Sequence, residues 1–185
     1  MKLNNAVNLT AVAFIWFFPL VSGILGTSCV SAIDAMAKVP ALLIEHLQKE
    51  TCHTSCEPSL AQWDHEVKDE ILRELVADGA EYAGAPEAKD EFLRFIERLD
   101  TKVTSACKHQ LGEGRICQNP EEVEALITCL NESSRNAVVT SMSGLIPYMS
   151  DSKCKKAGEY FTSDKLWEHD FPEHIQVYVQ RCHEL

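Results

Sequence analysis

Two short runs, Asp64-His65-Glu66 and Glu168-His169-Asp170, set an imidazole between carboxylates, the residue types that general acid/base chemistry uses. Adjacent residues on a helix point in different directions, and no nucleophile motif of the Gly-x-Ser-x-Gly kind accompanies them. Both runs therefore read as solvated charged faces, and the expectation is no catalytic residue and no enzyme. Cysteine beside histidine is the second chemistry: His53 follows Cys52, and His109 stands two positions past Cys107. Their spacing matches no zinc module, so no metal and no other cofactor is expected. The third chemistry is oxidation. Eight cysteines, Cys29, Cys52, Cys56, Cys107, Cys117, Cys129, Cys154 and Cys182, follow an N-terminal stretch that reads as an export signal. In an oxidising compartment a set of that size becomes a disulfide framework.

The export signal carries this argument. Lys2 supplies the positive end, Leu9 to Val21 is nearly all apolar, and small residues follow at Ser22, Gly23, Gly26, Thr27 and Ser28. Pro19 and the glycine breaks make the same stretch a poor membrane span. Residues 1–28 are assigned to the signal, with cleavage after residue 23 or 28 favoured; a third small-residue site ends at Ala32. The first two keep Cys29, so all eight cysteines can pair. Residues 29–185 then form a single helical disulfide-rich domain that is secreted and extracellular, with no membrane contact after cleavage. The whole chain carries 17 basic and 28 acidic residues, a net charge of −11. An acidic surface of that kind disfavours nucleic acid and anionic lipid as partners.

Apolar residues recur at three- and four-residue intervals in nearly every segment, and no stretch alternates as a strand would. The fold class expected is all-α: a disulfide-crosslinked bundle of about five to seven short helices. A first helix is predicted to hold Pro40 in its first turn, to carry Val39, Leu42, Leu43 and Leu47, and to end at the Cys52–Cys56 turn. A second opens at Pro58, carries Leu60, Trp63, Val67, Ile71, Leu72, Leu75 and Val76, and is capped by Gly79. Phe92, Phe95, Ile96, Leu99, Val103 and Cys107 mark the buried side of a third, ended by Gly112 and Gly114. Asn119-Pro120-Glu121-Glu122 is the best local helix start in the chain, since asparagine caps and proline suits the first position. Val123, Leu126, Ile127 and Leu130 point inward from that fourth helix. A fifth carries Val138, Met142, Leu145 and Met149 and breaks near Gly144 and Pro147. The last starts near Pro172 and groups Ile175, Tyr178, Val179 and Cys182.

Cys52 and Cys56 are too close in sequence for a mutual bond to constrain much, so each is expected to reach a different helix. Connectivity stays open, because eight cysteines allow 105 pairings. Asn131-Glu132-Ser133 is an N-glycosylation sequon, placed where the fourth helix is expected to end, so Asn131 is a candidate modified residue. The final His183-Glu184-Leu185 is similar to an ER-retrieval tail only in its last residues.

In order and in the three-residue gap between Cys52 and Cys56, the set Cys29, Cys52, Cys56, Cys107, Cys117 and Cys129 resembles the six-cysteine pattern of insect odorant-binding proteins. The gap from Cys56 to Cys107 is longer than in that family, and eleven residues separate Cys117 from Cys129 where the family holds eight. Cys154 and Cys182 fall outside the pattern. The resemblance implies a carrier of small apolar ligands in an interhelical cavity, for which Trp63, Phe92, Phe95, Met142, Met149 and Tyr178 are candidate lining. The leading expectation is instead a secreted protein that acts by binding another protein, as an extracellular effector or ligand. A void of about 300 Å³ or more would favour the carrier, and a filled core with an exposed apolar patch would favour protein binding.

Overall fold

Among the residues that the computed structural model describes, 26–54, 56, 68–110 and 115–182, six α-helices carry the fold. They are α1 (Thr27–Thr51), α2 (Lys68–Tyr82), α3 (Lys89–Cys107), α4 (Pro120–Ser141), α5 (Asp151–Phe161) and α6 (Phe171–Cys182). Two 3₁₀ stretches, Pro86–Ala88 and Met142–Tyr148, precede α3 and follow α4, and a π-helical turn, Leu166–Asp170, leads into α6. The chain is an all-α, disulfide-crosslinked bundle. Pro58, Leu60, Trp63, Val67, Asp64-His65-Glu66, Gly112, Gly114 and the His183-Glu184-Leu185 tail lie outside the described residues.

The periodicity of α1 reaches well before Pro40, so the helix expected to open there instead contains that proline in its interior. A proline inside a helix removes one backbone hydrogen bond and costs about 3 kcal/mol. Buried residues on both sides, Ile33, Met36 and Ala37 before it and Ala41, Ile44 and Leu47 after it, offset that cost. α1 has no acidic residue in its first turn and no side-chain cap of its own. Asp151, the first residue of α5, serves instead: the Ser28 N–H donates to its carboxylate (3.3 Å), which places a negative charge at the positive end of α1. α1 is long and apolar enough to cross a bilayer by length and composition alone. In the fold its apolar face packs most extensively against α5 and α4, and also against α6.

Gly79 does not cap α2, which runs on to Tyr82. Its role is clearance, because a Cβ there would lie 2.9 Å from the Tyr160 ring. The left-handed turn belongs to Gly84 (φ 71°), between Ala83 and Ala85. α3 buries Phe95, Leu99, Val103 and Cys107 as its spacing predicts, and ends at Cys107.

α4 is longer than predicted. Ser134, Ala137, Val138 and Ser141 extend the buried stripe past Leu130, so packing carries the helix through Asn131 and absorbs Val138 from the expected fifth helix. At its start Asn119 forms no cap through its side chain; its Nδ2 donates to Glu122 (2.6 Å). α5 went unpredicted because its apolar face is narrow: Cys154, Ala157 and Tyr160 are its buried residues. Ser150 caps it by accepting from the Lys153 N–H (3.4 Å). One continuous core joins the helices, with Phe95, Phe171, Leu47, Ile116, Ile175, Val123 and Val138 fully enclosed.

Candidate functional site

Glu168, His169 and Asp170 sit on the π-helical turn, and their side chains part company there. Glu168 pairs with Lys49 (2.8 Å), whose hydrogen bond holds the carboxyl below its ordinary range. Asp170 accepts from Lys165 (2.7 Å), and His169 is exposed. No acid and base converge on one point among them. Among the described residues Tyr160 is the most strongly perturbed group: burial, then the charges of Asp78 and Asp170, push its phenol up. Its hydroxyl donates to the Leu75 carbonyl (3.0 Å), which makes it a strut between α5 and α2.

The cysteines are engaged with one another. Cys29–Cys154 joins α1 to α5, Cys107–Cys129 joins α3 to α4, and Cys52–Cys117 ties the end of α1 to the turn before α4. Cys56 is also disulfide-bonded, so neither member of the Cys52/Cys56 pair closes on the other. The Cys182 side chain lies outside the described ones. With Cys52 and Cys107 both in disulfides, His53 and His109, each exposed, have no thiolate neighbour to share a cation with. Among the described residues no group of three or more His, Cys, Asp or Glu side chains is placed to hold a metal ion.

One apolar pocket combines residues from five parts of the fold. Met36 of α1, Phe92 of α3 and Met142, Leu145 and Met149 from the 3₁₀ stretch and its end form its walls. Ala83, Ala85 and Ala157 leave the space open. Its volume is about 40 Å³, room for a few waters or the end of one aliphatic side chain. Lys153 lies at the edge, paired with Glu87 (2.9 Å). Of the six candidate lining residues, Phe92, Met142 and Met149 converge here. Phe95 and Tyr178 belong to the core, and Trp63 lies outside the described residues.

Met36, Leu145 and the alanines were not among the lining residues that the sequence suggested, although Leu145 was expected on the fifth helix. For Ala83 and Ala85 the signal was the run of small residues from Gly79 to Pro86, which reads as a loop and says nothing of what its far side meets.

Tyr82 and Ile146 are the most exposed large apolar side chains among the described residues, each 52 % exposed. Neither lines the pocket: each is next in sequence to a residue that does, Ala83 and Leu145 respectively, and the Tyr82 ring lies 5.8 Å from that of Tyr160.

A second cluster stands where α3 meets the 3₁₀ stretch. Glu91, only 15 % exposed, receives Arg98 (2.9 Å) and Arg94 (2.6 Å), and the bonds to both arginines lower its pKa. Arg98 also donates to the Ser141 carbonyl (3.2 Å) at the end of α4, where a cation complements the helix dipole. The carboxylate rests on Gly144, where a Cβ would collide with it. With both arginines already paired to Glu91, this cluster is a clamp between elements.

Fold and site together define a class: a disulfide-crosslinked helical bundle with a small apolar pocket among its described residues. No protein-family model, no curated protein and no solved structure matches the chain. The six cysteines that resemble the odorant-binding pattern are not self-contained, since Cys29 pairs with Cys154 beyond them.

Proposed function

We propose that the chain is secreted and acts by binding another protein, as an extracellular effector or ligand. The carrying observation is the small apolar pocket walled by Met36, Phe92, Met142, Leu145 and Met149, because a concave apolar site of that size is how a protein anchor is received. A pocket of about 40 Å³ admits one side chain of a partner, well below the 300 Å³ or more that small-molecule sites offer. At this pocket, then, the size supports protein binding over the carrier reading. The described disulfides fit an oxidising compartment. Signal cleavage after residue 23 keeps Gly26 to Ser28 and with them the contact of α1 to Asp151. Asn131, exposed on α4, is the glycosylation acceptor.

Native mass spectrometry of material secreted from a eukaryotic host tests this reading. The expected mass is the bare chain with any glycan, eight hydrogens below the reduced form if all eight cysteines pair. A copurifying apolar molecule would replace the reading with the carrier. A photo-crosslinker at Ile146 then identifies the partner, and Ala157→Leu, which fills the pocket, is expected to abolish that crosslink. An unchanged crosslink would remove the pocket from the interface.

A further inference from the structure

Asn131 and Ser133 belong to one acceptor site, and the fold separates them. A transferase reads the sequon with the hydroxyl beside the amide it modifies, whereas residues two apart on a helix do not face each other. Asn131 is exposed on the outside of α4. Ser133 turns the other way, its Oγ 3.6 Å from Cys107 Sγ and 3.8 Å from Cys129 Sγ. The hydroxyl that the transferase must reach therefore lies against the Cys107–Cys129 disulfide, and Cys129 is itself two residues before the acceptor.

We infer that glycan transfer to Asn131 competes with closure of the Cys107–Cys129 bond, so that whichever happens first on the nascent chain determines whether the secreted molecule carries the glycan. The inference rests on the export reading above. In the transfer step Asn131 Nδ2 attacks C1 of a lipid-pyrophosphate-linked oligosaccharide and forms the N–C1 bond. The C1–oxygen bond breaks, the lipid pyrophosphate leaves with its electron pair, and the amide proton passes to a base of the transferase. Nothing in this step requires the folded protein. The folded protein opposes it twice, by the helix and by the bond over Ser133.

Pulse-labelled full-length chain in a eukaryotic secretory host gives the test, with occupancy at Asn131 read by endoglycosidase shift against Asn131→Gln. The wild type is expected to emerge partly occupied. Replacing Cys107 and Cys129 by serine together is expected to move occupancy toward full, whereas Cys29→Ser with Cys154→Ser, which opens the bond between α1 and α5 instead, leaves it at the wild-type level. Labelling reads nascent chains, so a variant that later misfolds still reports. Equal occupancy in all three chains, full occupancy of the wild type, or an equal rise in both variants would overturn the inference. A flexible acceptor tag added to the chain separates the two layers: an unmodified tag breaks the export reading, and a modified tag with Asn131 bare in every variant breaks only the competition.

Discussion

The seam between α1 and α5 and the corner where α3 meets α4 each carry one disulfide, and they differ in almost everything else. Along the seam, Ala32 and Gly158 let the two backbones approach, and the bond Cys29–Cys154 spans 125 residues of sequence. At the corner, Cys107–Cys129 closes only 22 residues, and charged groups from α3 hold the end of α4: Arg98 on Ser141, Lys102 on Thr140 (2.7 Å), Glu91 between two arginines. The seam is a long-range contact fastened by packing and a crosslink. The corner is nearly local, and polar side chains supply much of its definition.

Removing the crosslinks gives the largest separation. In the chain-entropy model, Cys29→Ala with Cys154→Ala loses about 5 kcal/mol, against about 3 kcal/mol for Cys107→Ala with Cys129→Ala, because the longer loop restricts the unfolded chain more. Denaturant unfolding of the two oxidised double variants checks the order, and the reverse order would mean that the corner bond is supported by native contacts that the seam lacks. Non-reducing peptide mapping is expected to recover Cys29–Cys154, Cys52–Cys117 and Cys107–Cys129, and the count then leaves Cys182 for Cys56.

Two glycine substitutions sharpen the contrast at smaller scale. A Cβ on Gly158 meets Ala32 at 3.5 Å, an ordinary contact, so Gly158→Ala is expected to be neutral or to gain up to about 1 kcal/mol from helix propensity. Gly144→Ala instead pushes Glu91 off its arginines and is expected to lower the thermal midpoint. Equal effects from the two would erase the distinction between packed seam and charged corner. A third glycine, Gly79, is held against a ring pinned at both ends, and Gly79→Ala is expected to cost about 1–3 kcal/mol through overpacking.

Acid gives the smallest and most local effect. Arg98 and Arg94 lower the Glu91 pKa below its usual 4.5, so the unfolded chain takes up a proton there more readily than the folded one. The stabilisation is complete above pH 4.5 and disappears as pH falls through the lower folded value. Amide exchange at Met142–Tyr148 is expected to quicken on that descent while exchange along the α1–α5 seam holds. Simultaneous loosening of both would show that the clamp has no separate existence.

Much of the fold was legible because helical periodicity is a local signal. Phe95, Leu99 and Val103 sit where their spacing placed them, and so do Val123, Leu126, Leu130 and Ile175. Boundaries failed wherever a neighbour overruled a local rule. Pro40 would open a helix in isolation, but buried residues on both sides carry α1 through it. Gly79 would cap a helix, but it is small because Tyr160 lies over it. Asn131 would mark a helix end, but Ser134, Ala137 and Val138 find partners that extend α4 beyond it.

By itself, then, the sequence determined that this chain is helical and that its sulfurs form a framework, since periodicity, charge and cysteine number are properties a chain carries before it folds. Tertiary structure alone decided which sulfurs meet and that Met36, Phe92 and Met142 share one pocket. It also decided that the sequon hydroxyl is turned toward a disulfide. Those outcomes depend on helices distant in sequence lying side by side, and the spacing within any one helix holds no record of its neighbour.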